Sequence, residues 1–156
     1  MTEARWLDDR QMRAWLGYRR MRLLLDLQLA RELQAASGLS EPDYDVLSNL
    51  SARDDLGMRL SDLAEHMRWS KSRLSHHVTR MQQRGLVERH ECADDGRGSL
   101  LKLTEQGWQA IREAAPGHVE SVRKHFIDLL TDDELDALDA LSHRVVDHLQ
   151  EMELNH

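Results

Sequence analysis

The chain has 156 residues, with 28 Asp and Glu against 21 Lys and Arg, a formal net charge of −7, nine His and a single Cys. That length suits one domain with a real core and no need of disulfides or a structural metal, and a lone Cys92 cannot staple one chain, which points to a reduced, cytoplasmic setting. Eight Gly and two Pro are roughly half the average share, which argues for long helices and against a turn-rich sandwich or barrel.

The first predicted element is a long helix over residues 8–36. Trp15, Leu16, Leu23, Leu27, Ala30 and Leu33 recur at helical spacing, and Met12, Met21, Leu24, Leu25 and Leu29 widen the apolar face beyond one stripe. A helix apolar over so much of its girth needs more than one packing partner. Its apolar run is broken by Asp26 and Gln28, lacks a signal-peptide cleavage pattern and falls short of the ~20 apolar residues of a membrane span. Ser37-Gly38 is a stop, and Ser40 with Pro42 starts a short helix over 41–52 that buries Tyr44, Val46, Leu47 and Leu50. Ser61, with Asp62 and Glu65 in the first turn, marks the next start. After a break at Arg68-Trp69-Ser70, Ser70 caps a helix over 71–84, which Gly85 ends in the left-handed conformation. The spacing is helix, tight turn, helix.

Residues 86–91 and 99–103 read as two strands around the turn cluster Asp94-Asp95-Gly96-Arg97-Gly98, a β-hairpin. Thr104 then caps a helix to about Leu130, buried through Trp108, Ile111, Val119, Val122, Phe126 and Leu129, with a kink expected at Pro116-Gly117. Thr131 and Glu134 form a capping box for a last helix on which Leu135, Leu138, Leu141, Val145, Leu149 and Met152 share a face.

The charge is unevenly spread. Residues 1–58 carry 8 basic and 10 acidic side chains, 59–104 carry 9 and 6, and 105–156 carry 4 and 12. A basic middle therefore lies between acidic flanks, and four of the nine His (His66, His76, His77, His90) sit in it. This middle holds the helix-turn-helix and its following hairpin, a unit that can lay its second helix in a DNA major groove. On that helix Leu74, Val78 and Met81 form the core stripe, with His77 beside them as a packing residue. Ser72, Arg73 and His76 are the candidates for base edges, because they lie in its N-terminal half and Arg73 and His76 have the reach for guanine N7 and O6. Ser70, Lys71, Ser75, Thr79, Arg80 and Arg84 are candidates for phosphates, which position a helix without reading sequence. Arg80 could equally make an internal salt bridge. Arg97, between two glycines at the hairpin tip, is the candidate for a minor groove.

Leu60-Ser61-Asp62-Leu63-Ala64, the helix over 70–81 and Arg84-Gly85-Leu86-Val87 together resemble the winged-helix core of the MarR family of bacterial regulators. Asp95-Gly96-Arg97, followed by Leu101, Leu103-Thr104 and Gly107, resembles that family's wing signature. The motifs cover about residues 40–108, and the helix order covers the whole chain. Two positions depart from the pattern: His77 stands where an aliphatic residue is usual, and Gly98 where many members carry a second basic residue.

The resemblance implies a fold that is mainly α with a small β-hairpin wing, a winged helix-turn-helix with long N- and C-terminal dimerisation helices. Residues 1–38 would be the first dimerisation helix, 39–104 the DNA-binding lobe and 105–156 the C-terminal dimerisation helices. It further implies a homodimer on a near-palindromic double-stranded operator, acting as a repressor, with a small aromatic effector bound between the dimer helices and the lobe. Trp15, Tyr18 and Tyr44 are the candidates to line that effector pocket. Cys92 lies near the wing, away from the first helix where thiol sensors of this family carry their cysteine, and His118/His125 and His143/His148 have poor same-face spacing for a metal. No cofactor, metal or membrane partner is expected, and no enzyme motif appears: there is no Gly-rich phosphate loop, His-Glu-x-x-His or nucleophile elbow. A winged helix that binds another protein, and a metal- or redox-gated regulator on the same scaffold, are the competing readings.

Overall fold

A computed structural model of the chain describes residues 2–91 and 98–156. It divides into two compact units, Met1–His118 and Val119–His156.

In the first unit, helix α1 (Asp9–Ser37) opens on a capping box in which Asp8 and Gln11 bond each other's backbone amides, and it closes at Gly38 with φ 72°. Of all its residues only Leu33 is buried. Helix α2 (Glu41–Ser51) begins on a second capping box, between Ser40 and Asp43, and buries Val46, Leu47 and Leu50. Strand β1 (Gly57–Arg59) leads straight into helix α3 (Leu60–Met67). That helix starts one residue before Ser61: Arg59 is its N-cap, and its side chain makes no capping hydrogen bond. Ser61 is therefore not the cap expected, because the chain enters α3 directly from a paired strand, whose hydrogen bonds already set the direction of entry.

Helix α4 (Lys71–Gln83) is capped by Ser70, whose hydroxyl accepts from the Arg73 amide at 3.1 Å. Its end is a Schellman motif: the Leu86 amide donates to Met81 O and the Gly85 amide to Gln82 O, with Gly85 at φ 77°. Strands β2 (Val87–Glu91) and β3 (Ser99–Leu103) pair antiparallel, Val87 opposite Leu103 and Glu91 opposite Ser99. The hairpin is not alone. β1 adds to the other edge of β3 with Met58 opposite Leu101, giving a three-stranded sheet of order β1-β3-β2.

Helix α5 (Glu105–His125) starts where Thr104 Oγ1 accepts from the Gly107 amide at 2.9 Å. The same hydroxyl donates back to the carbonyls of Gly85 and Leu86, which ties the end of α4 to the start of α5. The helix runs through Pro116 and stops five residues short of the expected end, giving way to a 3₁₀ turn (Ile127–Leu129). The core gathers Leu33, Val46, Leu47, Leu50, Leu63, Leu74, Val78, Met81, Leu101 and Ile111 under the helix-turn-helix. Each fully buried aliphatic side chain contributes about 1.5–3 kcal/mol, enough to hold one face of α4 inward.

In the second unit, helix α6 (Asp132–Leu154) opens on the Thr131–Glu134 capping box and has no buried residue. Leu141, Val145, Leu149 and Met152 are each about half exposed. Val119 and Leu129, expected in the core, are exposed too.

Candidate nucleic-acid interface

The N-terminal half of α4 faces solvent. Leu74, His77, Val78 and Met81 are buried, and their spacing turns Lys71, Ser72, Arg73, His76, Thr79 and Arg80 outward, where all six are exposed. The three residues expected at base edges thus share one open face at the start of the helix. Ser70 lies at the same end, with its hydroxyl oxygen engaged in the cap.

Arg73 is ordered by a neighbour. Its guanidinium carbon lies 3.6 Å from the centre of the Trp69 ring, a stacked cation–π pair. Trp69 in turn meets the His77 ring edge-on, with centroids 5.7 Å apart.

Behind this face runs a charged chain. Asp43 is buried, and its carboxylate accepts from Arg84 Nη1 at 2.8 Å and from the Ser40 amide at 2.9 Å. His77 Nε2 lies 3.0 Å from the other carboxylate oxygen but off the axis of a directed hydrogen bond, so this contact is chiefly electrostatic. On its far side, His77 Nδ1 accepts from Arg80 Nη2 at 3.2 Å. Burial alone would raise the Asp43 pKa; the close His77 ring and the hydrogen bonds from Arg84 and the Ser40 backbone outweigh it and hold the carboxyl well below its ordinary value.

Two of the expected phosphate contacts are engaged within the chain. Arg84, expected at a phosphate, is turned inward onto Asp43 and also bonds the Gly38 carbonyl at 3.2 Å. A buried carboxylate that would otherwise lack a counter-charge decides its direction. The Thr79 hydroxyl donates to the Ser75 carbonyl at 2.9 Å, so in this rotamer it has no proton to offer a phosphate. Arg80 keeps several of its five donors after bonding His77.

The sheet is fastened to α4 by Arg89, a residue with no DNA contact expected of it. Its Nη1 donates to Ser75 Oγ at 3.1 Å and its Nη2 to Ser75 O at 2.9 Å. With its oxygen accepting from Arg89, the Ser75 hydroxyl can still donate its own proton. Alternation along β2 puts Arg89 on the same face as buried Val87, the signal that could have marked it as inward-facing. Arg97 and Cys92 lie outside the described residues.

The effector candidates divide. Trp15 and Tyr18, each about half exposed, sit with ring centroids 6.1 Å apart on α1. Tyr44 is half-buried against the core, its ring 4.4 Å from that of His118. Trp15 and Tyr18 are roughly 27 and 22 Å along the helix axis from Leu33, the buried residue of α1. One chain therefore does not gather all three. Around Tyr44, burial raises the pKa of Glu41, Asp45 and Tyr44 itself. Among the described residues, Glu41 Oε1 and His118 Nδ1 are buried there with no hydrogen-bond partner.

The family model described as MarR family matches residues 37–98. The crystal structure of AbsC, a MarR family transcriptional regulator from Streptomyces coelicolor, superposes with a TM-score of 0.90 at 44% identity, over 95% of this chain and 99% of that one. The chain belongs to the MarR family of transcriptional regulators. Sco3205, a MarR family regulator from the same organism crystallised in complex with DNA, superposes with a TM-score of 0.90 at 34% identity, over 96% of this chain and 94% of that one. Transcriptional repressor MprA of Escherichia coli strain K12 is 25% identical over 127 residues, 81% of this chain and 72% of MprA.

His77, one of the two positions that stood out against the expected winged-helix pattern, lies between Asp43 and Arg80 in the charged chain behind α4. Among the described residues no group of three or more His, Cys, Asp or Glu could hold a metal ion, and no helix is long and apolar enough to cross a membrane.

Proposed function

We propose that the chain is a homodimeric repressor that places α4 of each subunit in the major groove of a near-palindromic operator. In this reading Ser72, Arg73 and His76 meet base edges, while Ser70, Lys71, Ser75 and Arg80 meet phosphates. The observation that carries it is the open N-terminal face of α4, which collects Lys71, Ser72, Arg73 and His76 opposite a buried stripe within the basic segment of the chain.

Dimerisation is supported by α1 and α6, each of which exposes a long apolar face in the single chain. The face on α6 alone joins Leu141, Val145, Leu149 and Met152, more than a solvated helix of a monomer needs. Residues 1–38 and 105–156 then serve the dimer and 39–104 the DNA. Two α4 helices related by a two-fold axis would meet successive major grooves about 34–36 Å apart. A small effector would weaken the complex by favouring a different spacing of the two helices. The unpartnered polar atoms of Glu41 and His118 beside Tyr44 support a polar site for it there. Arg97 is assigned to the minor groove beside the operator core.

Selection of duplexes by the purified protein, followed by mobility shift, tests the reading. It requires recovery of a two-fold symmetric site preferred over random duplex. Arg73→Ala should lose about 1–3 kcal/mol on that site and relax one base position, whereas Lys71→Ala should weaken all duplexes alike and flatten the salt dependence. Equal, sequence-independent losses in both variants would refute the division of roles.

A further inference from the structure

The stack of Arg73 on Trp69 bears on how bases are discriminated. A guanidinium lying flat on an indole uses only its π face; all its N–H donors lie in the plane and remain available at the edge. The edge is the part that pairs with guanine N7 and O6. Stacking therefore restrains the side chain without consuming the group that reads.

The platform is itself fixed. The Trp69 amide donates to Ala64 O at 2.9 Å, closing α3, and the next residue, Ser70, caps α4. The ring is half-buried against the core, and the His77 ring abuts it edge-on. His77 in turn faces Asp43, which Arg84 and the Ser40 amide hold in place. From a buried carboxylate to a solvent-exposed guanidinium, each link is set by the one behind it. An exposed arginine without such support loses much rotamer freedom when it is immobilised on DNA, and a stack formed before binding removes that loss from the binding step.

We propose that Trp69 is a positioning residue for sequence recognition, its ring holding Arg73 with its donor edge presented to the bases. This rests on the reading of α4 as the base-reading helix. It assigns specificity to a residue that need not touch DNA.

The test compares the duplex recovered by selection with a random duplex of the same length, using the full-length protein. Trp69→Leu, which keeps an apolar side chain but has no π face, should weaken binding to the selected duplex roughly 3- to 30-fold. Binding to random duplex and the slope of affinity against salt should not change, because the phosphate contacts remain. Trp69→Phe, whose smaller ring keeps only part of the π face, should lose less than Trp69→Leu, about threefold, on the selected duplex alone. In an Arg73→Ala background Trp69→Leu should have no further effect on the selected duplex. A loss shared equally by both duplexes, or one that persists in full without Arg73, would show a merely structural role and overturn the proposal. If Arg73→Ala itself binds the selected duplex like the parent, the base-reading role of Arg73 falls and the positioning role with it. A clear Arg73→Ala defect beside a neutral Trp69→Leu overturns the positioning role alone. Should Trp69→Leu fail to fold, Trp69→Phe decides: a loss of about threefold confined to the selected duplex supports the proposal, and no loss or a uniform one overturns it.

Discussion

Replacing Asp43 by Ala should be costly out of proportion to the size of the side chain. Asp43 is 3% exposed and meets three groups: the Ser40 amide, Arg84 Nη1 and the His77 ring. Losing its half of the capping box removes about 1 kcal/mol. Losing the charge-assisted bond to Arg84 removes about 1.5–3 kcal/mol, with the lower part of that range favoured because Arg84 is 44% exposed and regains water. A total of about 3 kcal/mol corresponds to a fall in Tm of about 6–12 °C for a chain of this size. Thermal and urea unfolding should be measured at one protomer concentration, since a dimer's stability depends on it. The pH dependence supplies a second check. The folded-state pKa of Asp43 is depressed, so its stabilisation is present above the unfolded carboxylate value of about 3.9 and is lost as pH falls through the lower folded-state value. The gap between parent and variant should thus be constant from about pH 5 to 7 and narrow below about pH 4. A gap under about 1 kcal/mol at neutral pH, or one that stays flat as the pH falls below 4, would refute the account of this buried carboxylate.

Three further outcomes are expected. Gly107→Ala should destabilise the fold by about 3 kcal/mol or more, measured by urea unfolding, because its new methyl group would strike the Leu86 carbonyl and the Leu103 side chain. Arg89→Ala should lower DNA affinity about equally for selected and random duplexes in a mobility shift, since it frees β2 from Ser75 without touching the base-reading face. Leu149→Glu, at a position 54% exposed in the single chain, should shift the sedimentation coefficient from dimer toward monomer and weaken operator binding with it. An unchanged dimer would remove α6 from the interface.

Much of this molecule is local and so could be read along the chain. Ser40, Ser70, Thr104 and Thr131 each lie within three residues of the amide they cap, and Gly85 ends α4 within the reach of one turn. Capping and periodicity are short-range effects, so the helices, the hairpin and the outward face of α4 follow from them. β1 was not legible. Three residues show no alternation, and the strand exists only because β3 offers it an edge more than forty residues later in the chain.

The charged network was hidden for the same reason. Arg84 and Asp43 are 41 positions apart and Arg89 and Ser75 are 14 apart, so nothing in local spacing distinguishes an arginine meant for a phosphate from one bound to a buried carboxylate. The amino-acid order by itself determined which segments are helical, which face of α4 is apolar and where the basic charge lies along the chain. Only the tertiary structure decided which cations remain on the open face, because that depends on the fold bringing Asp43 and Ser75 to Arg84 and Arg89. A buried carboxylate or helix carbonyl in a low-dielectric setting holds a nearby guanidinium more firmly than water does.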